Sequence, residues 1–346
     1  MKVENMAVTI KDVAREANVA PSTVSRVISD SPRISEKTKR KVRKVMEEMG
    51  YHLNHNARVL VQKSTQTIGI VMKNSTSASL HDPFFPEVLR GISAQCHQQE
   101  YNISITTGES EDAIFQDVVK MVQGKRVDGL IVSYSKKDDK VVPFLVQSGI
   151  PFVVVGKPIG KANEIMSVDN DNVRAAREAT EFLIQLGHKR VAFIGEQPQF
   201  EVAAARRTGY MEALRLNDLE IDPAYIKSLD KTVLMKETVD EVMDLPHPPT
   251  GFVVTDDITG LNLLLCLREK NIKVPDDVSI ISFNNTFIAQ LATPPLTSID
   301  TQIYQLGYES AKCLIEEIKN PSMFKKSVII PTIIVERESC KAMSVK

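Results

Sequence analysis

The chain has 346 residues, more than one hydrophobic core usually serves, so two or three domains are expected. Its composition, 42% hydrophobic and 25% charged, is ordinary for a globular protein; no run approaches the ~18 apolar residues of a membrane helix, and "MKVENMAVTI" lacks the apolar centre of a signal peptide, so a cytoplasmic location away from membranes is expected. The net charge of −1 hides a division: residues 1–63 hold 13 Lys and Arg against 7 Asp and Glu, and the remainder holds 30 against 37, a basic head on an acidic body.

The head, "VTIKDVAREANVAPSTVSRVISDSPRISEKTKRKVRKVMEEMGY", reads as three short helices. Thr9 and Asp12 suit a helix start, the hydroxyl capping an orphan N–H and the carboxylate facing the positive helix end, with Val13, Ala14 and Ala17 as the apolar stripe. Asn18 tolerates the left-handed turn that follows, and Pro21 has φ preset for the first turn of a second helix, "PSTVSRVIS". There Val24, Val27 and Ile28 face inward, which leaves Ser22, Ser25 and Arg26 outward. Ser35 opens a third helix with Val42, Val45, Met46 and Met49 inward and Lys37, Lys39, Arg40, Lys41, Arg43 and Lys44 outward, stopping at Gly50. Two helices joined by a tight turn and propped by a third form a helix-turn-helix. Its second helix fits the DNA major groove, where Arg26 can donate two hydrogen bonds to guanine. The hydroxyls of Thr9, Ser22, Thr23 and Ser25, with the helix N-terminus at Pro21, can hold phosphates.

Beyond a linker at residues 54–66, too short to hold a helix alone in water, the pattern changes. The apolar runs "TIGIVM", "NISITT", "GLIVS", "FVVVG", "RVAFIG", "TGFVVT" and "VSIISF" alternate with helical stretches such as "FFPEVLRGISAQCHQQE". Continuous apolar strands separated by helices mean parallel sheets covered on both faces, and an acidic, Asn-rich break at "SVDNDN" suggests two doubly wound lobes. Ligands of such sheets bind beyond the carboxyl ends of the strands. Phe84 and Phe85 follow the first strand and can offer aromatic faces to a bound ligand, or belong to the core. Asp257 lies past "FVVT" and Asn284 past "SIISF", where they can hydrogen-bond ligand hydroxyls or simply cap loops.

Enzymatic motifs are missing from the sequence. No G-x-G-x-x-G follows the first strand, and neither a P-loop nor a G-x-S-x-G elbow occurs. His188 in "LGHKR" falls at a helix-to-strand turn, where a cation complements a helix C-terminus. Cys96, Cys266, Cys313 and Cys340 form no Cys-x-x-Cys pair and join no His cluster, so reduced structural thiols, no metal and no cofactor are expected.

The head, with "TIKDVAREANVAPSTVSRVIS" and "ISEKTKRKV", resembles the DNA-binding head of the LacI/GalR family of bacterial repressors. The likeness continues through "DPFFPEVLRGI", "KRVDGLIV", "GIPFVVVGKP", "VDNDNVRAA", "LGHKRVAFIG", "ARRTGY", "VPDDVSIISFNN", "PPLTSI" and "VERES". Within the family it is greatest to the maltose-operon repressors of Gram-positive bacteria. The resemblance implies a small all-α head at residues 6–53, a hinge helix at 54–66, and a periplasmic-binding-protein-like α/β body at 67–346. Three chain crossings would divide that body into an N-lobe, about 67–167 and 298–327, and a C-lobe, about 168–297 and 328–346. It further implies a homodimer on a pseudo-palindromic operator, with a small sugar effector between the lobes; a global carbon-catabolite regulator with a phosphoprotein corepressor is the alternative. By the same resemblance Asn54, Ala57, Arg58 and Leu60 belong to the hinge, Leu60 as a minor-groove wedge, and Arg206 in "AARRTGY" matches the effector-binding arginine, unless it is a surface helix cation. The chain departs from its relatives at "SFNN", where Asn284 replaces a carboxylate, at Gly156, where some relatives have a polar residue and the adjacent Lys157 could compensate, and at Leu53, where many have proline.

Overall fold

The computed structural model describes residues 8–51, 64–73, 82–160, 162–196, 199–229 and 234–343. The head comprises α1 (Ile10–Glu16), α2 (Pro21–Ile28) and α3 (Glu36–Glu48), closed over Val13, Ala14, Ala17, Val24, Val27 and Val42. Asn18 turns between α1 and α2 at φ 49°. Lys39 departs from its expected outward place: it is 5% exposed, and its ammonium lies 3.1 Å from Asp30 and 3.0 Å from Glu36. Asp30, at φ 49° beyond α2, brings its carboxylate back over α3, so this lysine binds α2 to α3 rather than facing solvent.

The body holds two six-stranded sheets. In the first, β1 (Thr67–Val71), β2 (Asn102–Ile105), β3 (Gly129–Val132), β4 (Phe152–Val155), β5 (Met166–Asn170) and β11 (Ser327–Ile330) run parallel in the order β11-β5-β4-β3-β1-β2. In the second, β6 (Val191–Glu196), β7 (Ile226–Leu229), β8 (Gly251–Val254), β9 (Ser279–Phe283), β10 (Thr297–Asp300) and β12 (Ile333–Val335) take the order β12-β10-β9-β8-β6-β7, with only β12 antiparallel. Alternate side chains feed opposite faces: along β4, Val153 and Val155 enter one core with α4 (Phe84–Gln98) and α12 (Ile303–Lys319), while Phe152 and Val154 enter another with α5 (Glu111–Gln123) and α6 (Val141–Ser148). Apolar demand on both faces is why these strands read as unbroken hydrophobic runs. The second sheet is covered in the same way by α7 (Asn172–Gln185) and α8 (Glu201–Leu216) on one face, and by α9 (Met235–Met243), α10 (Asp257–Glu269) and α11 (Phe287–Leu291) on the other.

Each lobe crossing falls at a strand end, after Asn170, Asp300 and Ile330, where the sequence placed the boundaries after residues 167, 297 and 327. A chain can leave its sheet only past its last ladder partner, and Ile330 still pairs with Asn170. "SVDNDN", read as a break, therefore contains the end of β5. Among the described residues no helix is long and apolar enough to cross a membrane.

Candidate DNA-reading face and interlobe cleft

On α2, Pro21, Ser22 and Arg26 are exposed, while Thr23 and Ser25 are half-buried beside the inward Val24 and Val27. The head's described ion pairs join Arg15 to Asp12, Lys39 to Asp30 and Glu36, Arg43 to Asp30, and Lys44 to Glu48; none of them takes Arg26. Its guanidinium therefore extends from an amphipathic helix whose other face is locked into the core. Thr9, also exposed, commits its hydroxyl to Asp12 Oδ2 at 2.6 Å and its N–H to the same oxygen at 3.0 Å, which fixes the start of α1. Asn54, Ala57, Arg58 and Leu60 lie outside the described residues.

In the body, Arg206 is 6% exposed, not the surface cation that a helix position allows. From α8 its Nε donates to Asn172 Oδ1 at 3.0 Å, a terminal nitrogen donates to the Thr255 carbonyl, and its guanidinium carbon sits 4.2 Å from the centre of the Phe283 ring. Three elements thus hold one planar cation at the carboxyl edge of the second sheet: the start of α7, the end of β8 and the end of β9. Asn284, next after Phe283, is 8% exposed at φ 96°, a left-handed value that asparagine tolerates better than most residues; its Oδ1 accepts a long bond from the Thr301 hydroxyl at 3.4 Å.

Asp257 turns away from this edge. Its Oδ1 accepts from the Ser282 and Ser298 hydroxyls at 2.6 and 2.8 Å, and its Oδ2 from the Thr286 N–H and hydroxyl at 2.6 and 2.8 Å. The carboxylate is 2% exposed and clasps β9, β10 and the approach to α11; burial pushes its pKa up, against the pull of those four bonds. Asp256, half-buried, caps α10 through Thr259. The strand-end rule selects Asp257 by position and does not say that its carboxylate is spent inside the lobe. Phe84 and Phe85 are partly buried at the start of α4 and pack on the N-lobe core. A cavity of about 460 Å³ lies where α4 and α12 begin, lined by Glu87, Asp300, Gln302 and Tyr304 among others. Of the five effector candidates only Asn284 lines it, so this cavity is not where Arg206 is held.

Some neighbours were not singled out from the sequence. Asp169, at the end of β5, accepts from Asn172 Nδ2 at 3.0 Å, and burial raises its carboxyl to about 7. The lobes also touch directly: Lys136 and Phe200 form an antiparallel bridge, with Lys137 N to Gln199 O at 2.9 Å and Glu201 N to Ser135 O at 3.0 Å, and Lys73 Nζ sits 3.7 Å from the Phe200 ring centre. Asp169 and Asn172 do carry a signal, as part of the polar cluster "SVDNDN" in which β5 ends. Phe200 and Lys73 carry none. His188 is 1% exposed between Thr250 and Ser279, at 3.0 and 2.9 Å, and burial lowers its pKa. It is an interior hydrogen-bonding group, not the helix-end cation expected.

Residues 9–54 match the family described as bacterial regulatory proteins, lacI family, and residues 180–340 match the periplasmic binding protein-like domain. The chain is 35% identical over 333 residues to the HTH-type transcriptional regulator MalR of Staphylococcus xylosus, covering 96% of this chain and 98% of that one. Among solved structures it is similar to a probable maltose operon transcriptional repressor, malR, from Staphylococcus areus, with 29% identity, TM-score 0.73, and 80% and 98% of the two chains covered. A transcriptional regulator CelR in complex with cellobiose is similar over 96% and 99% of the two chains, with 28% identity and TM-score 0.73.

Proposed function

The chain belongs to the lacI family of bacterial regulatory proteins, and from that premise we propose a cytoplasmic, homodimeric repressor of maltose or maltodextrin utilisation genes, controlled by a sugar held between its lobes. It is a DNA-binding transcriptional regulator and not an enzyme. Two α2 helices enter successive major grooves of a pseudo-palindromic operator, and the hinges at Asn54, Ala57, Arg58 and Leu60 enter the minor groove between them, Leu60 as the wedge that kinks the duplex. The sugar acts by binding two lobe arrangements unequally, which changes hinge spacing.

The observation that carries the effector reading is Arg206, a buried planar cation held from three elements at the strand-end edge between the lobes. A guanidinium fixed in this way can span two adjacent sugar oxygens. Asn284 supplies an amide on the same edge, Phe84 and Phe85 the aromatic faces. Asp257 is left out of this set because both of its oxygens are already engaged inside the lobe. The maltose assignment is supported by the MalR relatives, and a disaccharide-sized ligand by the cellobiose complex. A phosphoprotein corepressor is not favoured, since MalR and CelR regulators match across 91–96% of the chain.

Operator affinity measured against glucose, maltose and maltotriose tests the reading, together with calorimetry of sugar binding to full-length protein and its Arg206→Ala variant. Loss of a charged hydrogen-bonding group costs about 1.5–3 kcal/mol, so the variant should bind sugar at least ~10-fold more weakly while still binding operator without sugar, provided the sugar is an inducer. Sugar affinity equal to the parent's would place the pocket elsewhere.

A further inference from the structure

Three segments carry the chain between the lobes, and one buried side chain touches all of them. Asn170 ends β5 at the first crossing and is 4% exposed. Its Nδ2 donates to the Thr301 carbonyl in the second crossing at 3.1 Å and to the Ile330 carbonyl at the third at 2.9 Å. Both amide protons are thereby spent on backbone oxygens of segments 131 and 160 residues away. A carbonyl oxygen is fixed to its own chain, so turning one lobe on the other must move Asn170 or break a buried bond that water cannot replace.

Two residues further on, Asn172 faces the other way. Its Nδ2 donates to the Asn170 carbonyl at 3.3 Å and to Asp169 Oδ1 at 3.0 Å, and its Oδ1 accepts from Arg206 Nε at 3.0 Å. Thr301, held by Asn170 through its carbonyl, donates its hydroxyl to Asn284. Arg206 and Asn284 are thus each joined to the crossings by hydrogen bonds between buried groups.

We propose that Asn172 and Asn170 are positioning residues that couple the effector arginine to the interlobe crossings, so that the placement of Arg206 in the sugar complex sets where the three crossing segments lie relative to one another. The proposal rests on the reading of Arg206 as a sugar-binding group. Asn170 itself touches no sugar: it acts on the relation between sugar binding and operator affinity, not on sugar binding alone. Coupling free energy belongs to the pair of sites, and a link between them can be cut while each site survives.

The test uses full-length protein and its Asn170→Ala, Asn170→Ser and Arg206→Ala variants, with glucose, maltose and maltotriose as probes. Calorimetry reads sugar affinity, and operator titrations with and without sugar read the response. Asn170→Ala should keep sugar affinity close to the parent's, while the sugar-dependent change in operator affinity, on the order of 5- to 150-fold for coupled sites, collapses toward unity. Asn170→Ser retains a single donor and should fall between the two; it carries the test if the alanine variant does not fold. A merely structural role gives the opposite pattern, a lowered melting temperature with the sugar response intact, and that result overturns the proposal. If Arg206→Ala binds sugar as the parent does, the reading of the cleft fails and the relay with it. If Arg206→Ala loses sugar while both Asn170 variants respond normally, the relay alone fails.

Discussion

Arg26 and Arg206 carry the same guanidinium into opposite surroundings, and their roles follow from that difference. Arg26 stands exposed on α2, outside the head's described ion pairs, where its fork is open to guanine O6 and N7. Arg26→Ala should cost about 1–3 kcal/mol of specific binding and relax the preference at one base pair per half-site. Titrations on operator and on random DNA separate this from phosphate contact, since equal losses on both would rule out base reading. Arg206 is enclosed, and its neighbour Asp169 shows what enclosure does to a carboxylate. Burial, with a smaller push from Glu201, raises Asp169 to about 7 against the pull of its hydrogen bonds and of Arg206. An unfolded Asp titrates near 3.9, so the native state favours the protonated form: its contribution to stability is complete below pH ~4 and is lost as pH rises through ~7. Thermal melts of Asp169→Asn should therefore lose less stability than the parent between pH ~4 and ~7. An unchanged pH slope would take Asp169 out of the account.

At the scale of elements, α4 and α12 cross at a contact that only glycine permits. A Cβ on Gly91 would sit 2.0 Å from the Tyr304 carbonyl oxygen, and one on Gly307 would sit 2.1 Å from that of Val88, so either side chain must drive backbone from backbone. Gly91→Ala should destabilise the fold by about 1–3 kcal/mol, read as a lower urea midpoint at unchanged slope. A midpoint equal to the parent's would mean that the pair shifts without strain. How legible an element is in the sequence follows from how it is buried. Strands such as β3, β4 and β8, covered on both faces, show as apolar runs, and the helices of the head show through their 3.6-residue stripe and their caps. β5 was hidden because its last two residues, Asp169 and Asn170, are polar for the sake of the lobe crossing, which pattern alone reads as loop. β10, β11 and β12 span three or four residues, too few for a period to appear. The cleft was legible as a location and not as a set of directions. Strand ends pointed to Asn284 and Asp257, but that the Asp257 carboxylate is spent inside the lobe depends on Ser282, Thr286 and Ser298, which only the folded lobe brings together.

Across the whole molecule, charge is divided as function requires: the head, with 13 Lys and Arg against 7 Asp and Glu, meets DNA, and the acidic remainder, with 30 against 37, is kept from binding phosphate on its own account. Each phosphate that a cation neutralises releases condensed counterions, so a protein making ~6–10 such contacts loses about 10³–10⁵ in affinity between 50 and 200 mM salt. The two-lobe mechanism adds a sharper expectation. If sugar only redistributes the body between two arrangements, it changes the fraction of molecules competent to bind operator and leaves the bound complex with the same phosphate contacts. Plots of log affinity against log salt, taken with and without sugar, should then be parallel lines displaced vertically by the coupling factor. Operator titrations from 50 to 200 mM salt at saturating maltose and at none would decide this. A flat pair of lines would remove the basic head from DNA recognition. Lines of different slope would mean that the sugar-bound protein reaches a different number of phosphates, so that the hinge or one head leaves the duplex within the complex, and the lobes would then act on the grip itself rather than on the population able to take it.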